Sequence, residues 1–199
     1  YFGSSLAAVG DLDGDLIPEL AVGAQFDDDG FDSAGAVWVL FMNDDGTVLS
    51  EQKISATSGG FGGTLATVDY FGHSVTAIGD YNTDGVEDIL VGAPSASGSS
   101  TGSSWIVYLA DDGTVTGQQE ITEGVGGFGG NLNVIDHFGS AVAMVGDLNG
   151  DTFDDFVVCA EQDNDGGTNR GASWVLFMNA TQTVGSHQKI SDTSGGFND

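Results

Sequence analysis

Short apolar runs, many of them β-branched or aromatic, recur along the chain with turn residues between them, and no stretch places its apolar positions at a helical period. In the first third these runs predict strands at residues 4–10, 20–25, 35–42 and 48–55. An Asp-rich loop joins the first pair, the acidic Gly-rich FDDDGFDSA loop joins the next pair, and an NDDG turn closes the last hairpin. The runs AVWVLFM, WIVYL and WVLFM are apolar at consecutive rather than alternate positions. Such runs imply burial on both faces, and therefore sheet packed on sheet.

The same order of elements is written three times. The segments YFGSSLAAVGDLDGD, YFGHSVTAIGDYNTD and HFGSAVAMVGDLNGD begin at residues 1, 70 and 137, which are 69 and 67 residues apart. Matching strands, hairpins and GGF links follow each one, so the predicted units are 1–69, 70–136 and 137–199, the last cut short in its link. An end in mid-repeat suggests a segment of something longer, with a further copy expected to cap Asp199. Each unit reads as a small four-stranded antiparallel sheet, and the fold class as all-β; an isolated copy would leave apolar faces wet, and stacked copies cover them.

Charge changes the picture next. Thirty Asp and Glu stand against 3 Lys and Arg, a formal net charge of -27, so few carboxylates can find a cationic side chain within the chain. That surface argues against nucleic acid and anionic membranes as partners, and no apolar run reaches the roughly 18 residues of a membrane helix. Acidity alone is compatible with disorder, but 40% hydrophobic residues, with 12 Phe, 3 Trp and 4 Tyr, supply material for a core. A single cysteine, Cys159, excludes an intramolecular disulfide and reads as a buried strand thiol.

The combination of Phe-Gly at the head of a strand, a D-x-(D/N)-x-D loop and a following Val-Gly-Ala-Pro resembles the FG-GAP repeats of integrin α-subunit β-propellers. The second copy carries it most fully, in Phe71-Gly72, Asp80 to Asp88 and Val91-Gly92-Ala93-Pro94. The resemblance implies one four-stranded propeller blade per repeat, with a Ca2+ loop between its first and second strands; three blades fall short of the roughly four to eight that close a propeller, which leaves part of a ring or an open, filamentous array. Pro94 is replaced by Gln25 and Glu161 in the other copies, and the Gly of the third copy by Cys159, which puts a tight turn in doubt at two places.

Chemistry and the resemblance together assign three Ca2+ sites. Side-chain ligands are Asp11, Asp13, Asp15 and Glu19 in the first, Asp80, Asn82, Asp84 and Asp88 in the second, and Asp147, Asn149, Asp151 and Asp155 in the third. The carbonyls of Ile17, Val86 and Phe153 are expected at the seventh position. Oxygen-only donors with several carboxylates favour Ca2+ over Zn2+, and a flexible loop suits it better than Mg2+. An EF-hand would need a bidentate Glu at the twelfth position between helices, where Val22, Val91 and Val158 stand in predicted strands. A solvated Asp-rich turn is the plain alternative for one loop; three in register favour the metal. Leu16 and Thr152 stand where the second loop has Gly85, which makes the second loop the best fit. The ions are expected to be structural, because no base or activated nucleophile is placed to use an open position.

Other residues have bland readings. His73, His137 and His187 occupy unlike repeat positions, Trp38, Trp105 and Trp174 read as core, and the GGFGG stretches as links rather than phosphate loops. Asn179-Ala180-Thr181 is an N-glycosylation sequon on a hairpin turn, and the SASGSSTGSS run at 95–104 reads as a flexible loop open to O-linked sugar. The expected function is an extracellular or cell-surface, Ca2+-stabilised module that is not an enzyme and acts by structure and adhesion. By the same resemblance, protein or glycan partners would meet loops 26–34, 94–103 and 161–170 and links 56–69 and 124–136, with self-association or further repeats completing the assembly. The competing readings are a ligand-binding integrin-like propeller fragment and the non-catalytic propeller part of a lipase or polysaccharide-active enzyme.

Overall fold

The computed structural model describes residues 1–96 and 101–197. Its strands fall where the apolar runs place them. The first sheet holds β1 (Leu6–Ala8), β2 (Leu20–Ala24), β3 (Ala36–Met42) and β4 (Val48–Ser55). The second holds β5 (Ser74–Gly79), β6 (Asp88–Ala93), β7 (Ser103–Leu109) and β8 (Val115–Ile121), and the third β9 (Phe138–Gly146), β10 (Asp155–Ala160), β11 (Ala172–Met178) and β12 (Val184–Ile190). Each sheet is an antiparallel meander with its strands in chain order, β1-β2-β3-β4 and likewise onward. These sheets are called blades 1, 2 and 3.

A meander sends successive loops to opposite ends of the sheet. The acidic β1–β2, β5–β6 and β9–β10 loops therefore share one end of the molecule with the β3–β4, β7–β8 and β11–β12 hairpins. The remaining loops and the inter-blade links lie at the other end, where Phe71 N–H donates to Ala34 O at 2.9 Å and Phe138 N–H to Thr101 O at 2.9 Å. The hairpins share a bulged turn that needs a left-handed residue, filled by Gly46 (φ 83°), Gly113 (φ 75°) and Gln182 (φ 59°).

Burial confirms the packing of sheet on sheet. Every residue of β7 but Tyr108 is buried, because blade 2 is covered on both faces. In β3 the residues Val37, Val39 and Phe41 are buried towards blade 2, while Trp38, Leu40 and Met42 on the other face are half-exposed. In β11 the pattern inverts: Trp174, Leu176 and Met178 are buried towards blade 2, and Ser173, Val175 and Phe177 are half-exposed. The stack therefore has an open front on blade 1 and an open rear on blade 3, and the three blades do not close a ring. Two details depart from expectation. Ser103 and Ser104, assigned to a flexible loop, are buried strand residues, and 97–100 of that run lie outside the described residues. Cys159 is only half-buried, with its Sγ 3.2 Å from Ser173 Oγ, because it lies on the open rear face.

Candidate metal centres

The three acidic loops adopt one conformation. In each, the first-position carboxylate folds inward to accept backbone N–H groups from the loop it opens: Asp11 from Gly14 and Leu16 at 2.8 and 3.0 Å, Asp80 from Asp84 and Gly85 at 2.9 Å each, Asp147 from Gly150 and Thr152 at 2.7 and 2.8 Å. The fifth-position carboxylate accepts from the seventh residue, as Asp15 does from Ile17 N–H at 2.8 Å, Asp84 from Val86 at 2.9 Å and Asp151 from Phe153 at 3.0 Å. Such turns require left-handed residues at the fourth and sixth positions. These are Gly14 and Leu16 (φ 83° and 74°), Thr83 and Gly85 (64° and 95°), and Gly150 and Thr152 (80° and 81°). Leu16 and Thr152 thus keep the glycine conformation of Gly85, and the second loop carries its own departure at Thr83.

In the first loop, carboxylate oxygens of Asp11, Asp13 and Asp15 lie within 4.8 Å of one another at the surface. In the other two loops the third position is Asn, whose amide nitrogen donates to the fifth-position carboxylate, Asn82 to Asp84 at 2.8 Å and Asn149 to Asp151 at 2.9 Å.

The ninth position is buried in all three copies, which the sequence did not announce. Asp88 accepts from Leu109 N–H on one oxygen, at 2.9 Å, and from Tyr81 and Asn82 on the other; Asp155 accepts from Met178 and Leu148 at 2.9 and 3.0 Å. This carboxylate therefore pins the loop to the end of the third strand as well as facing the loop interior. Burial pushes Asp88 up to about 6 despite the N–H groups of Leu109, Asn82 and Tyr81. Glu19 is one methylene longer: its Oε2 accepts from Leu12 N–H at 2.6 Å, but Oε1 is buried without a partner. Burial raises Glu19 as well, opposed by the Leu12 N–H and reinforced by Asp13, Asp15 and Asp11. Three clustered surface carboxylates and, in the same loop, a buried carboxylate oxygen without a partner are a fit for a divalent cation with oxygen ligands.

The chain has no cationic side chain left over for these loops. Lys53 sits between Asp27 and Asp29 at 2.6 and 3.3 Å, Lys189 between Asp163 and Asp165 at 2.8 and 3.1 Å, and Arg170 pairs with Asp192 at 3.1 Å. Each lysine also lies over a tryptophan, Lys53 over Trp38 and Lys189 over Trp174, 5.5 and 5.2 Å from the ring centroid. In blade 2 the same positions hold Ala96 and Glu120, so the ion pair and its acid are exchanged together.

The sequence profile of the FG-GAP repeat matches residues 2–40, 71–107 and 138–176. The chain belongs to the FG-GAP repeat family. It is 33% identical over 124 residues to integrin alpha-3 of Cricetulus griseus, 30% over 167 residues to integrin alpha-8 of Gallus gallus, and 33% over 164 residues to integrin alpha-2 of Mus musculus. Those matches cover 62%, 80% and 80% of this chain but only 11%, 14% and 13% of the relatives.

The two halves of the FG-GAP motif meet across each seam. Gly23 of blade 1 lies against the carbonyl of Gly72 in the next Phe-Gly head, and Gly92 of blade 2 against that of Gly139; a Cβ on either would fall under 3.0 Å from that oxygen. This glycine is a close-contact residue within a strand and not part of the turn. The turns that were in doubt form anyway, with Asp27 N–H donating to Ala24 O at 2.9 Å and Asp163 N–H to Ala160 O at 3.2 Å.

The GGFGG links do more than connect. Phe61 reaches into the next blade against Phe71 and Trp105, with centroids 4.9 and 5.2 Å away, and Phe128 meets Phe138 and Trp174 at 5.0 and 5.2 Å. His73 and His137, unrelated by repeat position, line one cleft of about 180 Å³ with Glu161 and Tyr70. Burial lowers His73, and its Nδ1 is paired with Gln25 Oε1. Asn179 caps its hairpin, donating from Nδ2 to Thr183 Oγ1 at 3.0 Å, as Asn43 does to Thr47 in blade 1.

Proposed function

We propose that this chain is a segment of an integrin-type β-propeller whose blades are clamped by Ca2+ and which acts by contact rather than catalysis. The observation that carries the reading is the first acidic loop: three surface carboxylates gathered within 4.8 Å of one another, with the buried, partnerless Oε1 of Glu19 in the same loop. Every Lys and Arg of the chain is engaged elsewhere. The ion would be held by Asp11, Asp13, Asp15 and Glu19 with the Ile17 carbonyl, by Asp80, Asn82, Asp84 and Asp88 with that of Val86, and by Asp147, Asn149, Asp151 and Asp155 with that of Phe153. In the second and third loops the Asn amide would turn its oxygen inward.

Each repeat would then be one blade with its link, 1–69, 70–136 and 137–199, in an extracellular or cell-surface protein. No helix among the described residues is long and apolar enough to cross a membrane. Protein or glycan partners would meet the end opposite the cation loops, where 26–34 and 161–170 adjoin the links. The front of blade 1 supports further blades there: Phe2 is 62% exposed, whereas its counterparts Phe71 and Phe138 are fully covered by the blade before them. A calcium-electrode titration tests the metal. Binding with dissociation constants of roughly 0.1 to 1 mM is expected, with D13N, D84N and D151N each removing one site. No uptake at several millimolar Ca2+ would end the reading.

A further inference from the structure

The hairpin of blade 3 is unlike its two counterparts. Where blades 1 and 2 turn on Gly46 and Gly113, blade 3 turns on Gln182, held left-handed at φ 59°. A side chain in that conformation carries strain that glycine does not, and here it is fixed by what the residue reaches. Gln182 Nε2 donates to Tyr81 O at 3.0 Å, Tyr108 Oη donates to Gln182 Oε1 at 2.8 Å, and Gln119 Nε2 donates to Gln182 O at 2.8 Å. All three partners belong to blade 2 or its acidic loop. A carbonyl can only accept, so Tyr81 O decides which end of the amide faces it.

Tyr81 lies inside the second acidic loop. Tyr81 and Asn82 follow its first position, Asp80, and both of their N–H groups donate to Asp88 Oδ2, at 3.0 and 3.2 Å. The peptide between them is therefore gripped from two sides: its N–H by the ninth-position carboxylate of its own loop, its carbonyl by the next blade. The Tyr81 ring crosses the same seam to Phe156, with 5.3 Å between centroids. The other oxygen of Asp88 accepts from Leu109 N–H, the residue after Tyr108. Through one residue, blade 3 holds both the loop and the strand that anchors it.

The seam between blades 1 and 2 is built without this tie. Gly113 stands at the place of Gln182, Phe41 at that of Tyr108 and Leu12 at that of Tyr81. The amide and the hydroxyl it receives are lost together. Space differs as well: a Cβ on Gly113 would lie 3.1 Å from the Gln52 Cβ and 3.3 Å from the Val39 Cβ. Gln52, the counterpart of Gln119, turns instead to Lys53 O in its own strand, at 2.8 Å.

We infer that Gln182 is a positioning residue for the second acidic loop, supplied by the following blade: it holds the Tyr81–Asn82 peptide against Asp88 and so joins order in that loop to the docking of blade 3. A loop ordered beforehand costs less to close on an ion. Such coupling is reciprocal, so a cation bound in blade 2 tightens the seam with blade 3. The consequence for Ca2+ rests on the metal reading of the second loop; the tie between Gln182 and the loop does not.

Q182G in the whole chain tests it, since glycine is what the other two hairpins carry and suits the left-handed turn. In EDTA, hydrogen exchange at the Tyr81 and Asn82 amides should accelerate roughly three- to tenfold, as for a lost hydrogen bond. The Leu12 and Leu148 amides, which bond to the ninth-position acids of the other loops, should stay unchanged. With the first and third sites removed by D13N and D151N, Q182G should raise the Ca2+ dissociation constant of the remaining site by a similar factor. Y108F, which removes only the hydroxyl, should shift both readouts the same way and less. In a D84N background, where the second site is removed, Q182G should leave Ca2+ affinity as it was. Unchanged exchange at Tyr81 and Asn82, or a change spread equally over all the loops, would overturn the positioning role; faster exchange with unaltered affinity would overturn the coupling. A wild type that takes up no Ca2+ removes the metal reading alone, and the exchange experiment still decides for or against Gln182.

Discussion

Single residues carry two kinds of unfavourable conformation here, and each can be measured. Leu16 is held left-handed at φ 74° with its side chain 88% exposed, so its replacement by glycine relieves backbone strain without losing burial. L16G should raise stability by about 0.5–1 kcal/mol, roughly 1–4 °C in melting temperature for a chain of this size. Asp136 is the second kind. It is buried in the link before blade 3, with one oxygen bonded to Asn133 N–H at 2.7 Å and the other without a partner. Burial raises its pKa, opposed by the Asn133 N–H; Asp163 adds to the rise, and Lys189 opposes it. A carboxyl held above its unfolded value stabilises the fold below about pH 4 and loses that contribution as pH climbs through the raised value. At fixed Ca2+, the melting temperature of D136N should therefore fall less than wild type between pH 4 and 7, since an amide can keep the Asn133 contact without a buried charge. Parallel melting curves would refute this. Neither feature was legible in the sequence: Leu16 stood out only as a departure from Gly85, and nothing in the pattern around Asp136 marked its burial. The ninth-position carboxylates were found by their spacing, but their burial depends on the N–H groups of Leu109 and Met178, which lie on the neighbouring strand, 21 and 23 residues further along the chain.

At the scale of elements, the strands could be read directly because consecutive apolar residues have one explanation in a layered sheet, and β3, β7 and β11 lie where those runs stand. The links could not. Gly-rich composition advertises flexibility, whereas Phe61 and Phe128 are fixed plugs that need bare backbone nearby: a Cβ on Gly63 would meet the rings of Phe61 and Trp105, and one on Gly130 those of Phe128 and Trp174. The signal was present in the recurrence of one Phe at one place in each link, but its partner belongs to the following repeat. Truncation separates a plug from a tether. F128A should destabilise the chain by about 3–5 kcal/mol, as for a buried aromatic, and F197A, whose ring is 54% exposed, by less than about 1 kcal/mol. Denaturant melts of the two variants measure the difference; equal effects would mean that the Phe128 contact contributes little.

The whole molecule is a stack of similar sheets in which covering a face decides which residues are core. Identical repeat positions have different fates: Phe2 is open while Phe71 and Phe138 are covered, and Val145 is 39% exposed while Val9 and Ile78 are buried. Repetition made the three blades legible, but which faces are covered follows only from how the blades stack. A chain of net charge -27 whose few cations are all paired needs counter-charge at its acidic loops, and Ca2+ is proposed to supply it. The most direct measurement is a thermal melt of the whole chain, stripped with EDTA and then returned to Ca2+ at about ten times the dissociation constant. Each occupied site should contribute about 1.4 kcal/mol, so three should add roughly 4 kcal/mol. The account predicts a rise in melting temperature of roughly 8–16 °C, reduced stepwise in D13N, D84N and D151N; a melt indifferent to both EDTA and Ca2+ would contradict it.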